Sequence, residues 1–487
     1  MRADKLYAHT FTRAVLMTLA FFVFAGATQS ISAATYVVNQ TGDVSDGVCD
    51  ASCTLRDAVG TANSRDTEDT IVFASPLFDT AQTINLTSAT LTISNPLTIT
   101  GRGARLLTVR RAINNPTNFR IFDISGAVTV SISGITISNG RGADGLGGGI
   151  RNNGGTLTLN GVAVSDNATT EAGGGIRHAF GTTTILYSTI SGNTAGGFGG
   201  GIRVSNGTVN IANSTVSGNS ASGGGGGIDN SSTLNMNNVT VTNNRATNGN
   251  PGNAGGVLNF GGTVNTRNSI FAGNFATGGG GRPDLAGIFT SNGYNLVGVT
   301  PGNGSFTKDG DLPSASANLD VLANNGGQTD THRLLPGSDA IDAGNNCVVN
   351  QSCGTNNPPV PLQADQRGTG FPRQVGAAVD IGAFEALLAP TVASVSVSGR
   401  VITQSGRGIR NVVVTMTDMQ GNVRTATTGS FGYYRFEEVA AGETYIFTAR
   451  GKRFSFEQNT QVHSIMEETN DINFVASNQS VLRANSY

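Results

Sequence analysis

Tryptophan is absent from this chain, and lysine occurs only at Lys5, Lys308 and Lys452. Phosphate recognition needs clustered cations, so this scarcity, with a formal net charge of −2, argues against a nucleic-acid partner. The missing indoles remove the broadest stacking surface for a sugar ring. Histidine is also scarce, with only His178, His332 and His463 after His9, and no GxSxG or HExxH pattern occurs. The four cysteines fall into two local pairs, Cys49 with Cys53 and Cys347 with Cys353. In an exported protein such pairs read as two small disulfide loops. A shared four-cysteine metal site is the alternative, but the pairs lie 294 residues apart. Long apolar runs are missing after the first, Ala14 to Ala25. That run follows Arg2, Lys5 and Arg13 and precedes Ser32-Ala33-Ala34. It reads as a cleaved secretory signal over residues 1–34, the alternative being a signal anchor, for which the run is short. The expectation is a secreted or cell-surface protein with no transmembrane segment after cleavage.

What the chain has in abundance is glycine, 68 residues of it, and much of it keeps time. Gly147-Gly148-Gly149-Ile150-Arg151 returns as Gly173 to Arg177 and Gly199 to Arg203, then as Gly225-Gly226-Gly227-Ile228-Asp229. The isoleucines are 26 residues apart, and a looser copy at Gly255-Gly256-Val257 follows 29 later. Asn167, Asn193, Asn219, Asn244 and Asn274 close a second motif on the same beat. Stretches such as Thr156 to Leu159 and Thr208 to Ile211 alternate apolar with polar residues. Period two marks strands, and a repeat of this length marks units that bury their apolar faces only by stacking. The reading is all-β: a right-handed parallel β-helix with three short strands per coil of about 26 residues. Ile150, Ile176, Ile202 and Ile228 should form a buried column and the asparagines a ladder. The glycines should provide left-handed corners and close backbone approach.

The GGGI and SGN pairing resembles the GGAI and FxxN repeats of chlamydial polymorphic membrane proteins and the wider pectate-lyase-like superfamily, over roughly Ile71 to Val299. Cys53-Thr54-Leu55-Arg56-Asp57-Ala58 resembles the CSLREA module of secreted bacterial β-helix proteins, with Thr and Asp for the family's Ser and Glu. A capping role for a short helix at Leu55 to Asn63 follows, since an open first coil invites end-to-end association. Leu319 to Gly344, Asp365-Gln366-Arg367-Gly368 and Asp380 to Glu385 resemble the choice-of-anchor Q domain, which implies cell-surface anchoring. No LPXTG-like motif follows. Ser398-Gly399-Arg400-Val401, Val412-Val413-Val414 and Gly432 to Phe436 resemble the carboxypeptidase regulatory-like domain, a seven-stranded prealbumin-like sandwich. The organisation read this way is a signal (1–34), a CSLREA-like cap (35–70) and the β-helix (71–317). A choice-of-anchor Q-like C-terminal cap (318–388), a regulatory-like sandwich (392–476) and a tail (477–487) follow.

Chemistry is sparse along the repeats. The acids from Ile121 onward are Asp123, Asp144, Asp166, Glu171, Asp229 and Asp284, and they do not recur in register apart from one column. That column is Arg151, Arg177, Arg203 and Asp229, each following a stacked isoleucine and so pointing outward. It is a candidate stripe for an acidic glycan or anionic envelope surface; the plainer reading is a solvated stripe with Asp229 paired to Arg203. Asp342, Asp365, Asp380 and Glu385 could form a calcium site, though turn capping and pairing with Arg367 and Arg373 explain them more simply. No catalytic residue and no obligatory cofactor is assigned. The function expected is a non-catalytic, monomeric, secreted or surface protein for adhesion, carbohydrate binding or envelope structure. The alternative is a polysaccharide lyase or glycoside hydrolase.

Overall fold

A computed structural model describes residues 32–250, 252–277, 283–354, 358–386, 394–419, 421–465 and 467–477. The expected signal lies almost wholly outside them.

One repeat shows how the sequence folds. The strand Ile150–Asn160 bends midway, and Ala163–Ser165 and Ala168–Thr169 complete the coil. Each pairs in parallel with the same segment one coil on, so Ile150 lies beside Ile176, Leu159 beside Ile185 and Val164 beside Ile190. Alternation sends every second side chain inward. One inward column is Phe122, Ile150, Ile176, Ile202, Ile228, Val257 and Leu285, all fully buried. A second runs Ile71, Ile99, Ile132, Leu159, Ile185, Ile211 and Met236. Burying each such side chain stabilises the fold by about 1.5–3 kcal/mol. To the three expected strands the structure adds a two-residue fourth, forming its own six-stranded ladder from Arg141–Gly142 to Phe275–Ala276.

The glycine triplets divide their labour. The first of each, Gly147, Gly173, Gly199 and Gly225, sits in the left-handed region at φ 63°, 72°, 65° and 62°. The third has no room for a side chain: a Cβ on Gly175 would lie 2.7 Å from the Gly201 carbonyl oxygen. The asparagine ladder forms as expected. Asn193 donates its amide to Asn219 Oδ1 at 2.9 Å and accepts from Asn167 at 3.0 Å, and the pattern repeats through Asn244 and Asn274. The ladder ends on a carboxylate, because Asn274 gives both its backbone N–H and its amide to Asp284 Oδ1 at 2.9 Å.

At the N-terminal end the helix Leu55–Asn63 starts from a capping box between Thr54 and Asp57. It buries Leu55, Ala58, Val59 and Ala62 in the same core as the first coils. Both disulfides are present. At the other end Phe271, Phe289 and Phe306 close the core, with ring centroids 6.2 and 5.9 Å apart.

Residues 318–354 and 358–386 pack against the last coils and also contact the flank of the β-helix. Asp330 pairs with Arg105 at 2.7 Å and Gln366 accepts from Thr215 at 2.6 Å. Asn238 donates to the Asp380 carbonyl at 3.2 Å, and Gly382 N–H to the Asn268 carbonyl at 2.7 Å. The C-terminal module is two four-stranded sheets. Phe436, Phe447 and Phe474 are buried between them, and the Tyr434 hydroxyl donates to the Ile472 carbonyl at 2.6 Å. No helix among the described residues is long and apolar enough to cross a membrane.

Candidate functional site

The residue after each stacked isoleucine faces outward, and the register brings Arg151, Arg177, Arg203 and Asp229 into one line. The line begins one coil earlier than the sequence suggested, at Asp123, which pairs in register with Arg151. Its coil carries Phe122 where later coils carry isoleucine and has no glycine triplet before it, so the repeat motif does not reveal it.

The charges along this face are mostly spent. Arg151 holds both Asp123 oxygens at 2.7 Å and Asp144 at 2.8 Å, and those carboxylates raise its pKa further. Arg120 pairs with the same two acids. Burial pushes the Asp144 carboxyl up, but hydrogen bonding and charge from Arg120, with Arg151 beyond, hold it below its usual value. Arg203 pairs with Asp229, which is 1 % exposed. Burial, then repulsion from Arg177, brings the Arg203 guanidinium down to about 10. The Phe198 ring lies 5.9 Å from its central carbon.

Arg177 differs from its neighbours. It is bonded to Ser205 Oγ and makes no ion pair among the described residues, and burial lowers its pKa. Arg120, Arg151, Arg177 and Arg203 face Asp123, Asp144 and Asp229, so the one uncompensated charge of the stripe falls on Arg177. Its Nε is buried without a hydrogen bond, as are Ser231 Oγ and the Asp229 oxygens apart from the Arg203 pair. The expected Asp229–Arg203 pairing is present; Asp123 and Asp144, acids out of register in the sequence, join the stripe through Arg120 and Arg151.

Directly behind the stripe the interior turns polar. Ile93 and Ile124 are followed in their column by Asn152, His178, Val204 and Asn230. His178 is fully buried, with Nδ1 2.9 Å from Thr183 Oγ1. Burial depresses its pKa to about 4.

The four acids weighed as calcium ligands are engaged with N–H donors. Asp365 accepts from Arg367 at 2.7 Å, Glu385 from Arg373 at 2.7 Å, Asp380 from the Asp342 N–H at 2.7 Å, and Asp342 from the Ala378 N–H at 3.2 Å. Among the described residues no group of three or more His, Cys, Asp or Glu is placed to hold a metal.

Residues 396–477 match the carboxypeptidase regulatory-like domain family. Among solved structures the chain is similar to pectate lyase Pel9A, at 14% identity over 73% of this chain and 96% of that one, with a TM-score of 0.35. No curated protein matches the chain.

Proposed function

We propose that this is an exported, non-catalytic β-helix protein that adheres to an acidic polysaccharide or envelope polymer through its arginine face. The observation that carries the reading is Arg177, held between two neutralised arginines and without a carboxylate partner among the described residues. A guanidinium presents paired donors suited to a uronate carboxylate or a sulfate ester, and a ligand there would complete the charge balance of the stripe. Asp123, Asp144 and Asp229 already neutralise the remaining arginines, which confines the attraction to one position and makes it modest.

The test is retention of the full chain on immobilised polygalacturonate, alginate and chondroitin sulfate at rising salt. Arg177→Ala should weaken retention by roughly tenfold, a loss typical of one charge-assisted contact. Equal retention of both proteins would sink the reading.

A lyase reading has one observation in its favour, the buried Arg177 Nε and Ser231 Oγ, which have no hydrogen bond among the described residues. It predicts ultraviolet-absorbing unsaturated uronate products from the same polymers, lost in Arg177→Ala. The adhesion reading predicts binding without them.

A further inference from the structure

We infer that a second ligand site, independent of the arginine face, lies between the β-helix flank and residues 327–328 and 364–369, and that it takes an extended, uncharged oligosaccharide. The cleft there has a volume of about 610 Å³, within the range of small-ligand sites.

Its floor is a ladder. Thr100, Ser133 and Asn160 stand in register on three successive coils. Stacked strands place such residues about 4.8 Å apart, comparable with the advance of one sugar ring along an extended chain. Thr100 and Asn160 are exposed and make no side-chain hydrogen bond among the described residues. Each of the three is followed by glycine, Gly101, Gly134 and Gly161, and the Gln328 amide closes over the last, 3.2 Å from where a Cβ on Gly161 would stand. Gln328 and Thr369 form the opposing wall, and half-buried Tyr187 adds an aromatic surface.

Chemistry narrows the occupant. Among the described residues the only charged side chain in the lining is Arg367. It is held by Asp365 at 2.7 Å and lies 4.1 and 3.9 Å from the Phe371 and Phe384 ring centroids. A charged ligand would therefore find no free counter-charge. A peptide adding as a strand needs an unpaired sheet edge. Here the backbone is already used: Gly101 N–H donates to Ser133 O at 2.8 Å, Gly134 to Asn160 O at 3.2 Å and Gly161 to Leu186 O at 3.0 Å. What remains on offer is a row of hydroxyls and amides with glycine between, which matches a polyhydroxylated neutral chain.

The experiment is calorimetric titration of the full chain with cellohexaose, xylohexaose, mannohexaose and maltohexaose. The expected result is binding of at least one. That binding should weaken by roughly fivefold or more both in Thr100→Ala/Asn160→Ala, which removes two exposed side chains, and in Thr369→Trp, which blocks the mouth. Arg177→Ala should leave it unchanged, so failure here and failure of the adhesion reading are told apart. Binding of none of the four, or a smaller effect in either cleft variant, overturns the proposal.

Discussion

Arg151 grips Asp123 on the preceding coil through two N–H···O bonds of 2.7 Å. The same side chain one coil later, Arg177, has no such acid among the described residues, and Arg203 finds one on the following coil instead. A column that looks uniform in sequence therefore holds three different electrostatic situations.

Stability should sort the arginines accordingly. Arg203→Ala strands Asp229, which is 1 % exposed, and should cost about 3–5 kcal/mol. Adding Asp229→Leu, the residue type that follows in register at Leu258, should restore most of the loss. Arg177→Ala should cost less than about 1 kcal/mol. Urea unfolding of the three variants checks the order, and equal losses for Arg203→Ala and Arg177→Ala would contradict it.

Asp284 should prove more than a replaceable link. An asparagine accepts from the coil before and donates to the coil after, but the last position receives only donors: the Asn274 N–H and amide on one oxygen and the Val299 N–H, at 2.8 Å, on the other. Asp284→Asn turns an amide nitrogen toward one of those donors and should cost about 1–3 kcal/mol, the usual penalty for an unmet buried group. Asp284→Ala leaves all three unmet and should cost more. Denaturation midpoints at neutral pH give the comparison.

His178 sets an acid limit. Its folded pKa, about 4, lies below the ordinary 6.5, so the folded chain resists its protonation. The associated stability is complete above pH 6.5 and is lost as pH falls towards 4, by about 3 kcal/mol in all. His178→Val, which extends Val204 by one coil, should flatten that decline relative to the parent. A decline of unchanged slope in the variant would falsify the assignment.

Glycines in the triplet should be far less replaceable than glycines at open corners. On Gly175 a Cβ meets the Gly201 carbonyl at 2.7 Å and the Asn193 amide at 3.0 Å, so alanine must push coils apart. On Gly218, at φ +66°, the nearest atom is 3.9 Å away. Gly218→Ala should cost only the left-handed penalty of about 1–2 kcal/mol, and Gly175→Ala clearly more. Thermal melting of both variants decides.

Repetition made the β-helix legible. Ile150, Ile176, Ile202 and Ile228 state the period, their alternation with arginine states which way each faces, and Asn167 to Asn274 state the ladder. Elements outside the repeat stayed hidden. Asp123 belongs to the charged column by register alone, since no motif surrounds it. Asp284 reaches the ladder after a coil of irregular length, only ten residues from Asn274. The two-residue fourth strand is too short to show alternation. The flank contacts of residues 318–386 join positions up to 225 residues apart, as in Arg105 with Asp330, and no local pattern encodes such pairs.

Those flank contacts also change how the protein carries load. A bare solenoid unravels from an end because each coil holds only its neighbours. Here residues 318–386 are fastened to coils from Arg105 to Asn268 before the chain continues to the sandwich. Tension applied through the sandwich should therefore load these transverse bonds together with the last coils, against which Ile381 and Phe384 pack. Pulling on the two ends of a single molecule should give one high-force release followed by smaller steps, and a staircase from the first extension would show that the side attachment bears no load.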